Sequence, residues 1–341
     1  MEFDLSQDQR ALQSAARDLL DAAASSDRVR AVLGSPAGFD PDLWREMVAQ
    51  GWHSVALPDE EGGAGLGWVD VAVLAEEVGR HVAPAPFVST VLAVHALARS
   101  DNPAARPWVQ RLAAGDAVGA VAWRGGLVVD GPVADVVVHV TPEGVVAHEQ
   151  AGRRMPAEPA MDQTRSVGWL RPDGPGIALG GTDLATDVLD AAATVLSAEI
   201  LGLAGRMLDV SVAYACVREQ FGRPIGSFQA VKHRCADMLV DVEGIRSATW
   251  YAAWALATAA PDASLAASTA KAWASEAGPR VLGSALQVHG GIGFTWEHDL
   301  HLFLKRTQLD SVQFGDASWH RERLAGRLRE LVTAGESVFP G

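Results

Sequence analysis

Arg218-Glu219-Gln220-Phe221-Gly222-Arg223-Pro224-Ile225-Gly226-Ser227-Phe228-Gln229-Ala230-Val231-Lys232-His233 is the stretch whose reading decides the fold. It reads as the end of one helix, a turn through Gly222, Pro224, Ile225 and Gly226, and the start of another helix. A guanidinium and an amide beside an aromatic ring can grip a phosphate and stack on a planar base, and Arg218, Gln220 and Phe221 supply that set. An ordinary helical hairpin with its charged residues in water carries the same pattern. The stretch alone does not choose between the two.

Working outward, Leu286-Gln287-Val288-His289-Gly290-Gly291-Ile292-Gly293-Phe294-Thr295 closes a long helix on two consecutive glycines. The chain can turn there through a left-handed conformation, and backbone amides can approach a pyrophosphate with no Cβ in the way. A plain helix stop looks the same. Around these two segments run stripes at helical spacing. Ala192, Leu196, Ile200, Leu203 and Met207 form one, and Val231, Cys235, Met238, Val242, Ile245 and Thr249 a second. Ala270, Ala274, Ala277, Val281, Ser284 and Val288 form a third, with a shorter one at Leu324, Leu328 and Leu331. Residues 184–341 therefore predict a C-terminal four-helix bundle, its alanines and serines allowing close approach.

The two zones before it differ. Residues 1–115 predict an N-terminal helical domain, with Ser6 capping a helix through Ala23 and Pro41 starting another. A glycine loop from Pro58 to Gly65 leads into an amphipathic helix carrying Val69, Val73, Glu76, Glu77 and Arg80, stopped before Pro84. Residues 116–183 hold short β-branched runs between Gly and Pro turns, such as Asp135-Val136-Val137-Val138-His139-Val140. They predict a small antiparallel β-domain of about five to seven strands.

A net charge of −14 argues against nucleic acid as a main partner. Cys216 and Cys235 are the chain's 2 cysteines, too few for a disulfide framework or a metal cluster, so no metal site is expected. Met1-Glu2-Phe3-Asp4 lacks the basic and apolar regions of a signal peptide, and no run of about 18 apolar residues reads as a membrane span. A cytoplasmic protein with no membrane partner is the expectation.

Taken together, the two glycine-bearing C-terminal segments closely resemble the C-terminal domain of acyl-CoA dehydrogenases. The resemblance extends to Leu57-Pro58 through Gly65, to Glu76-Glu77-Val78-Gly79-Arg80, and to the order helical, β, helical. It implies FAD as cofactor, an acyl-CoA as substrate and electron-transfer flavoprotein as acceptor. Arg218, Gln220, Phe221, Gln287, Gly290 and Gly291 would hold the FAD diphosphate and adenosine, a set that family members donate across a subunit interface to the neighbour's flavin.

The resemblance fails elsewhere. The middle zone is shortened and lacks the Thr-Glu loop ending in Gly-Ser-Asp and the Trp-Ile-Thr-type strand that bind the flavin ring; Trp123 runs straight into Arg124-Gly125-Gly126. Dehydrogenation needs a carboxylate to take the α-proton while the β-hydride passes to the flavin. The usual glutamate seat is Gly315, and the alternative seat is Ala192. Residues that usually touch the subunit's own flavin match Ala317 and Trp319. Asp316 is one residue out of place, and Glu199 lies seven residues past Ala192, about 10 Å along the helix. Glu199 reads as a buried carboxylate paired with an arginine, and Glu243 with Arg246 as a structural ion pair. His233 and His289 read as capping or surface groups at helix ends. The catalytic residue is therefore not assigned.

The resemblance points to the short subunit of a two-plus-two heterotetramer, a form some bacterial members take, including those acting on sterol side chains. A longer homologous subunit would supply the ring pocket and the base. An autonomous homo-oligomer with an unusual base, and a flavin-free scaffold of the same fold, are the alternatives.

Overall fold

The computed structural model describes residues 4–335 apart from Pro36, Ala151, Arg153 and Asp173. Met1-Glu2-Phe3, which carry most of the leader reading, lie outside the described residues. Among the described residues the first α-helices are α1 (Gln7–Ala23), α2 (Ser26–Val32), α3 (Pro41–Ala49), α4 (Trp68–Arg80), α5 (Phe87–Ala98) and α6 (Arg106–Ala113). Ser6 starts α1 through a reciprocal box: its Oγ accepts from the Gln9 amide at 3.1 Å while Gln9 Oε1 accepts from the Ser6 amide at 3.0 Å. Asp40 caps α3 ahead of Pro41, whose missing N–H would have had no partner there.

Six strands follow: β1 (Gly119–Trp123), β2 (Leu127–Val129), β3 (Val136–Thr141), β4 (Gly144–Glu149), β5 (Val167–Trp169) and β6 (Ile177–Gly180). Their order is β5-β2-β1-β3-β4-β6. The expectation of a wholly antiparallel sheet needs correcting, because β1 and β3 run parallel, Gly119 facing Val136 and Trp123 facing Val140. After β2 folds back on β1, Asp130 takes a positive φ of 58° and a short turn carries the chain across to the free edge of β1. Alternation then sends Val121, Val136 and Val138 into the main core, and Ala120, Ala122 and Val137 into a smaller core under Met155.

The rest is helical: α7 (Thr182–Val217), a two-strand hairpin of β7 (Glu219–Gln220) and β8 (Arg223–Pro224), α8 (Gln229–Ala257), α9 (Ala263–His289), α10 (Leu300–Val312) and α11 (Ala317–Ala334). The predicted stripe of α7 is buried throughout. On α8 burial begins only at Met238, with Val231 and Cys235 half-exposed. Helix α10 has no apolar stripe to announce it, because its buried face includes Arg306, Thr307, Asp310 and Ser311. Helix α7 is long and apolar enough to cross a bilayer by length and composition, but that window is wholly buried inside the molecule. Thr194, Ser197 and Glu199 interrupt it, which is why it does not read as a continuous apolar run.

Two contacts set the bundle's frame. Asp190 of α7 accepts from Ser264 of α9 near the helix starts, and Tyr214 stacks on His289 near their ends, so α7 and α9 run parallel. Helix α4 crosses α7 at backbone contact: a Cβ on Gly202 would sit 1.9 Å from the Glu76 carbonyl oxygen, and one on Gly79 2.1 Å from that of Glu199. Only glycine fits either position.

Candidate functional site

The Tyr214 end of the bundle gathers the residues singled out in the sequence. Arg218 leaves α7 in extended conformation, its amide bonded to the Tyr214 carbonyl at 2.8 Å. The Ile225 amide returns to the Arg218 carbonyl at 2.7 Å and closes the hairpin. Phe221 and Gly222 form its tip with φ of 55° and 76°, the twisted two-residue turn that suits a β-hairpin. Positive φ is unusual for a phenylalanine, and the ring it presents is 92% exposed. Arg218 and Gln220 are exposed beside it, and Arg218 makes no ion pair among the described residues. Arg223 turns instead onto the Phe228 ring, 4.2 Å from its centroid.

Gly290 ends α9 at φ 60°, and the chain continues as one 3-10 turn to Phe294. No atom lies within 4 Å of a Cβ position on Gly290 or Gly291. Both glycines border open space, and Gln287 is exposed one turn earlier. His289 and Tyr214 rings stack at 4.6 Å with 20° between planes, which brings this turn and the hairpin to the same bundle end. His289 is therefore buried and not a surface group, its Nδ1 bonding the last-turn Ala285 carbonyl as an end-of-helix residue can, while His233 is exposed on α8. Val217, Phe294 and Trp296 add exposed apolar surface around the two segments.

The positions matched to a subunit's own flavin and base are filled. Trp319 stands edge-on to Trp123 at 5.1 Å, Phe314 lies 6.3 Å from Trp123, and the Arg124 guanidinium covers Trp123 at 4.5 Å and Trp319 at 5.2 Å. Gly315 has φ 99°, and a Cβ there would lie 2.5 Å from a ring carbon of Trp319. Asp316 is spent as the N-cap of α11, accepting from the Trp319 amide at 2.8 Å. Ala192 is fully buried.

Glu199 sits in a buried knot. It accepts from Arg165 and, at 2.8 Å, from Arg306, which also reaches Asp162 at 2.8 Å; Arg165 reaches Asp310 at 3.1 Å. Burial alone would raise the Glu199 pKa, but the two guanidiniums outweigh it and hold it below the usual range. Burial and the Glu199 charge push the Asp310 pKa well above its ordinary value, against the pull of Arg165 and Arg306. Glu243 pairs with Arg246 at 3.2 Å, as its spacing predicts.

Sequence reasoning missed Lys271. It is fully buried and donates to Ser275 Oγ at 2.9 Å and to the Ser311 and Gly315 carbonyls at 3.1 and 3.0 Å. Burial pulls its pKa down to about 7. Its signal was a lysine set among the alanines of the third stripe. At the other end of the bundle, a cleft of about 840 Å³ is lined by Trp68, His95, Arg99, Asp187, Asp190 and Arg323. Its charges are mutually paired, His95 with Asp187 at 2.8 Å and Arg323 with Asp190 at 2.6 Å. No group of three or more potential metal ligands occurs among the described residues.

Residues 6–116 match the acyl-CoA dehydrogenase N-terminal domain and residues 180–329 its C-terminal domain. Acyl-CoA dehydrogenase IpdE2 of Mycolicibacterium smegmatis is 37% identical over 321 residues, covering 94% of this chain and 98% of that protein. A chain of the ChsE4-ChsE5 complex from Mycobacterium tuberculosis superposes with TM-score 0.88 at 30% identity, covering 97% of this chain and 99% of that one. A chain of the Tcur3481-Tcur3483 steroid ACAD gives TM-score 0.87 at 30% identity over 96% and 99%. The chain belongs to the acyl-CoA dehydrogenase family of FAD-dependent oxidoreductases. The region between the matched domains, residues 117–179, holds the sheet and the plugged strand end.

Proposed function

We propose that this chain is the supporting subunit of a heteromeric acyl-CoA dehydrogenase, lending one face of a flavin site to a longer homologous subunit. The observation that carries the reading is an asymmetry. The bundle end with Arg218, Gln220, Phe221, Gln287, Gly290 and Gly291 is open, whereas Trp123, Trp319 and Phe314 pack on one another and Gly315 brings no carboxylate to the position matched to the base. The donor set suits a dinucleotide: a free guanidinium and glycine amides for the diphosphate, and an exposed aromatic ring for the base.

When bound, FAD supplies the hydride acceptor for α,β-dehydrogenation of an acyl-CoA thioester. The work of this chain is to bind and orient the dinucleotide, and Arg218 contributes charge while the glycine turn contributes close approach. The proton-abstracting carboxylate and the ring pocket belong to the partner. Similarity to chains of the ChsE4-ChsE5 complex and of a steroid ACAD supports a heteromeric assembly and a steroid-type acyl-CoA. Electron-transfer flavoprotein is the acceptor by family analogy.

The test is Arg218→Ala in the co-expressed complex. Loss of charge-assisted phosphate bonds, worth roughly 1.5–3 kcal/mol each, predicts flavin binding weaker by about ten-fold or more with assembly intact. Full flavin retention would overturn the assignment.

A further inference from the structure

Two segments far apart in sequence must act together for the bundle end to hold a diphosphate, and the structure shows one direct link between them. The hairpin is fixed to α7: the Arg218 amide bonds to Tyr214 at 2.8 Å, and Gly226 packs so closely that a Cβ would lie 2.9 Å from the Ala215 carbonyl oxygen. The glycine turn is fixed to α9. Nothing among the described residues lies within 4 Å of the Cβ positions of Gly222, Gly290 or Gly291, so the turns face open space on that side. Their flanks set their separation. Tyr214 stands four residues before Arg218, His289 stands immediately before Gly290, and these two rings stack at 4.6 Å. His289 is itself fixed: Nδ1 hydrogen-bonds the Ala285 carbonyl at 2.8 Å, the His298 ring meets it edge-on at 4.7 Å, and only 4% of the residue reaches solvent.

We propose that Tyr214 and His289 are positioning residues for the dinucleotide, their stack clamping the Arg218–Phe221 hairpin and the Gly290–Gly291 turn into one rigid cradle. The inference rests on the supporting-subunit reading above. A charged guanidinium and backbone amides converge on one diphosphate only if held to within about 0.5 Å, and neither segment can secure that alone. The stack acts through geometry, without touching the reacting atoms.

The test uses the complex with the longer homologous subunit, reading FAD affinity by flavin fluorescence and retention through gel filtration. Aromatic pairs contribute enough that losing the stack should weaken FAD binding by about three- to ten-fold. His289→Asn, which keeps a hydrogen-bonding group but loses the stack, should show that loss with subunit assembly unchanged. His289→Phe, which keeps the stack without the Ala285 bond, should bind FAD within about two-fold of wild type. Tyr214→Phe should match wild type, and Tyr214→Ala should follow His289→Asn. If Arg218→Ala strips flavin but His289→Asn does not, the clamp is refuted and the supporting-subunit reading stands. If Arg218→Ala leaves flavin in place, that reading fails first. Equal losses in His289→Phe and His289→Asn would also overturn the clamp, since the ring stack would then not be what matters.

Discussion

Arg306 of α10 and Glu199 of α7 meet at 2.8 Å with neither side chain exposed. Arg165, from the loop ahead of β5, closes on the same carboxylate, so three separate parts of the chain converge on one buried negative charge. A carboxylate so engaged is a poor base: two guanidiniums hold its Oε1 and keep its pKa depressed.

Replacing Glu199 by alanine should therefore harm the fold and spare the chemistry. Arg165 and Arg306 would each lose one buried carboxylate while keeping Asp310 and Asp162, and breaking a buried pair costs up to roughly 3–5 kcal/mol. Urea unfolding should register that loss, while turnover of the assembled, folded complex stays within several-fold of wild type. A fall of about 10²-fold or more at full flavin content would instead make Glu199 the base.

Asp310 predicts a pH signature. Its folded pKa lies above 3.8, so the folded chain holds a proton that the unfolded chain releases. The stability this confers is complete below about pH 3.8 and declines as pH rises toward the folded value. Glu199 and Asp162 act oppositely at the acid end, since their depressed values cost stability as pH falls below about 4. Asp310→Asn removes the first effect and keeps an acceptor for Arg165. Above about pH 3.8 and up to the folded value, the variant should gain on wild type by up to about 1.4 kcal/mol per pH unit, read by urea titration. Parallel pH profiles would show that Asp310 is ionised in the fold.

The α4–α7 crossing offers a control within one helix. Gly202→Ala would drive a methyl into the Glu76 carbonyl and should cost about 1–3 kcal/mol or more. Gly205→Ala meets nothing within 4 Å and should stabilise the helix by about 0.5–1 kcal/mol. Thermal melts of the two variants should move in opposite directions.

The fold was largely legible because its long helices bury apolar stripes at regular spacing, as Ala192 to Met207 and Ala270 to Val288 show. Ser6 and Pro41 announced their helices because caps are local chemistry. Helix α10 was hidden for the converse reason: Arg306 and Asp310 are core residues whose burial depends on partners over a hundred residues away in Arg165 and Glu199. The parallel β1–β3 pair was hidden as well, since alternation fixes which face a residue takes but not which neighbour a strand chooses. The open bundle end could be read from its motifs, whereas the Tyr214–His289 stack joins positions that no local pattern connects.

A glutamate placed at Gly315, the position the resemblance matches to the family's base, should not act as one. In Gly315→Glu the side chain must enter space held by the Trp319 indole, from a backbone φ of 99° that suits glycine. The variant should be less stable by about 1–3 kcal/mol and add no dehydrogenase activity to the lone chain. Activity appearing in this variant alone would mean that a ring site exists despite the Trp123–Trp319 contact.

Flavin stoichiometry tests the central claim most directly. On the proposed reading the bundle end would supply one face of a dinucleotide site, and the packed Trp123–Trp319–Phe314 cluster would leave this chain without a second. Purified alone, the chain should carry little or no FAD by absorbance after gel filtration. Co-expressed with a longer homologous subunit, it should yield a complex with one FAD per heterodimer. Stoichiometric FAD on the lone chain, retained through gel filtration, would contradict the account.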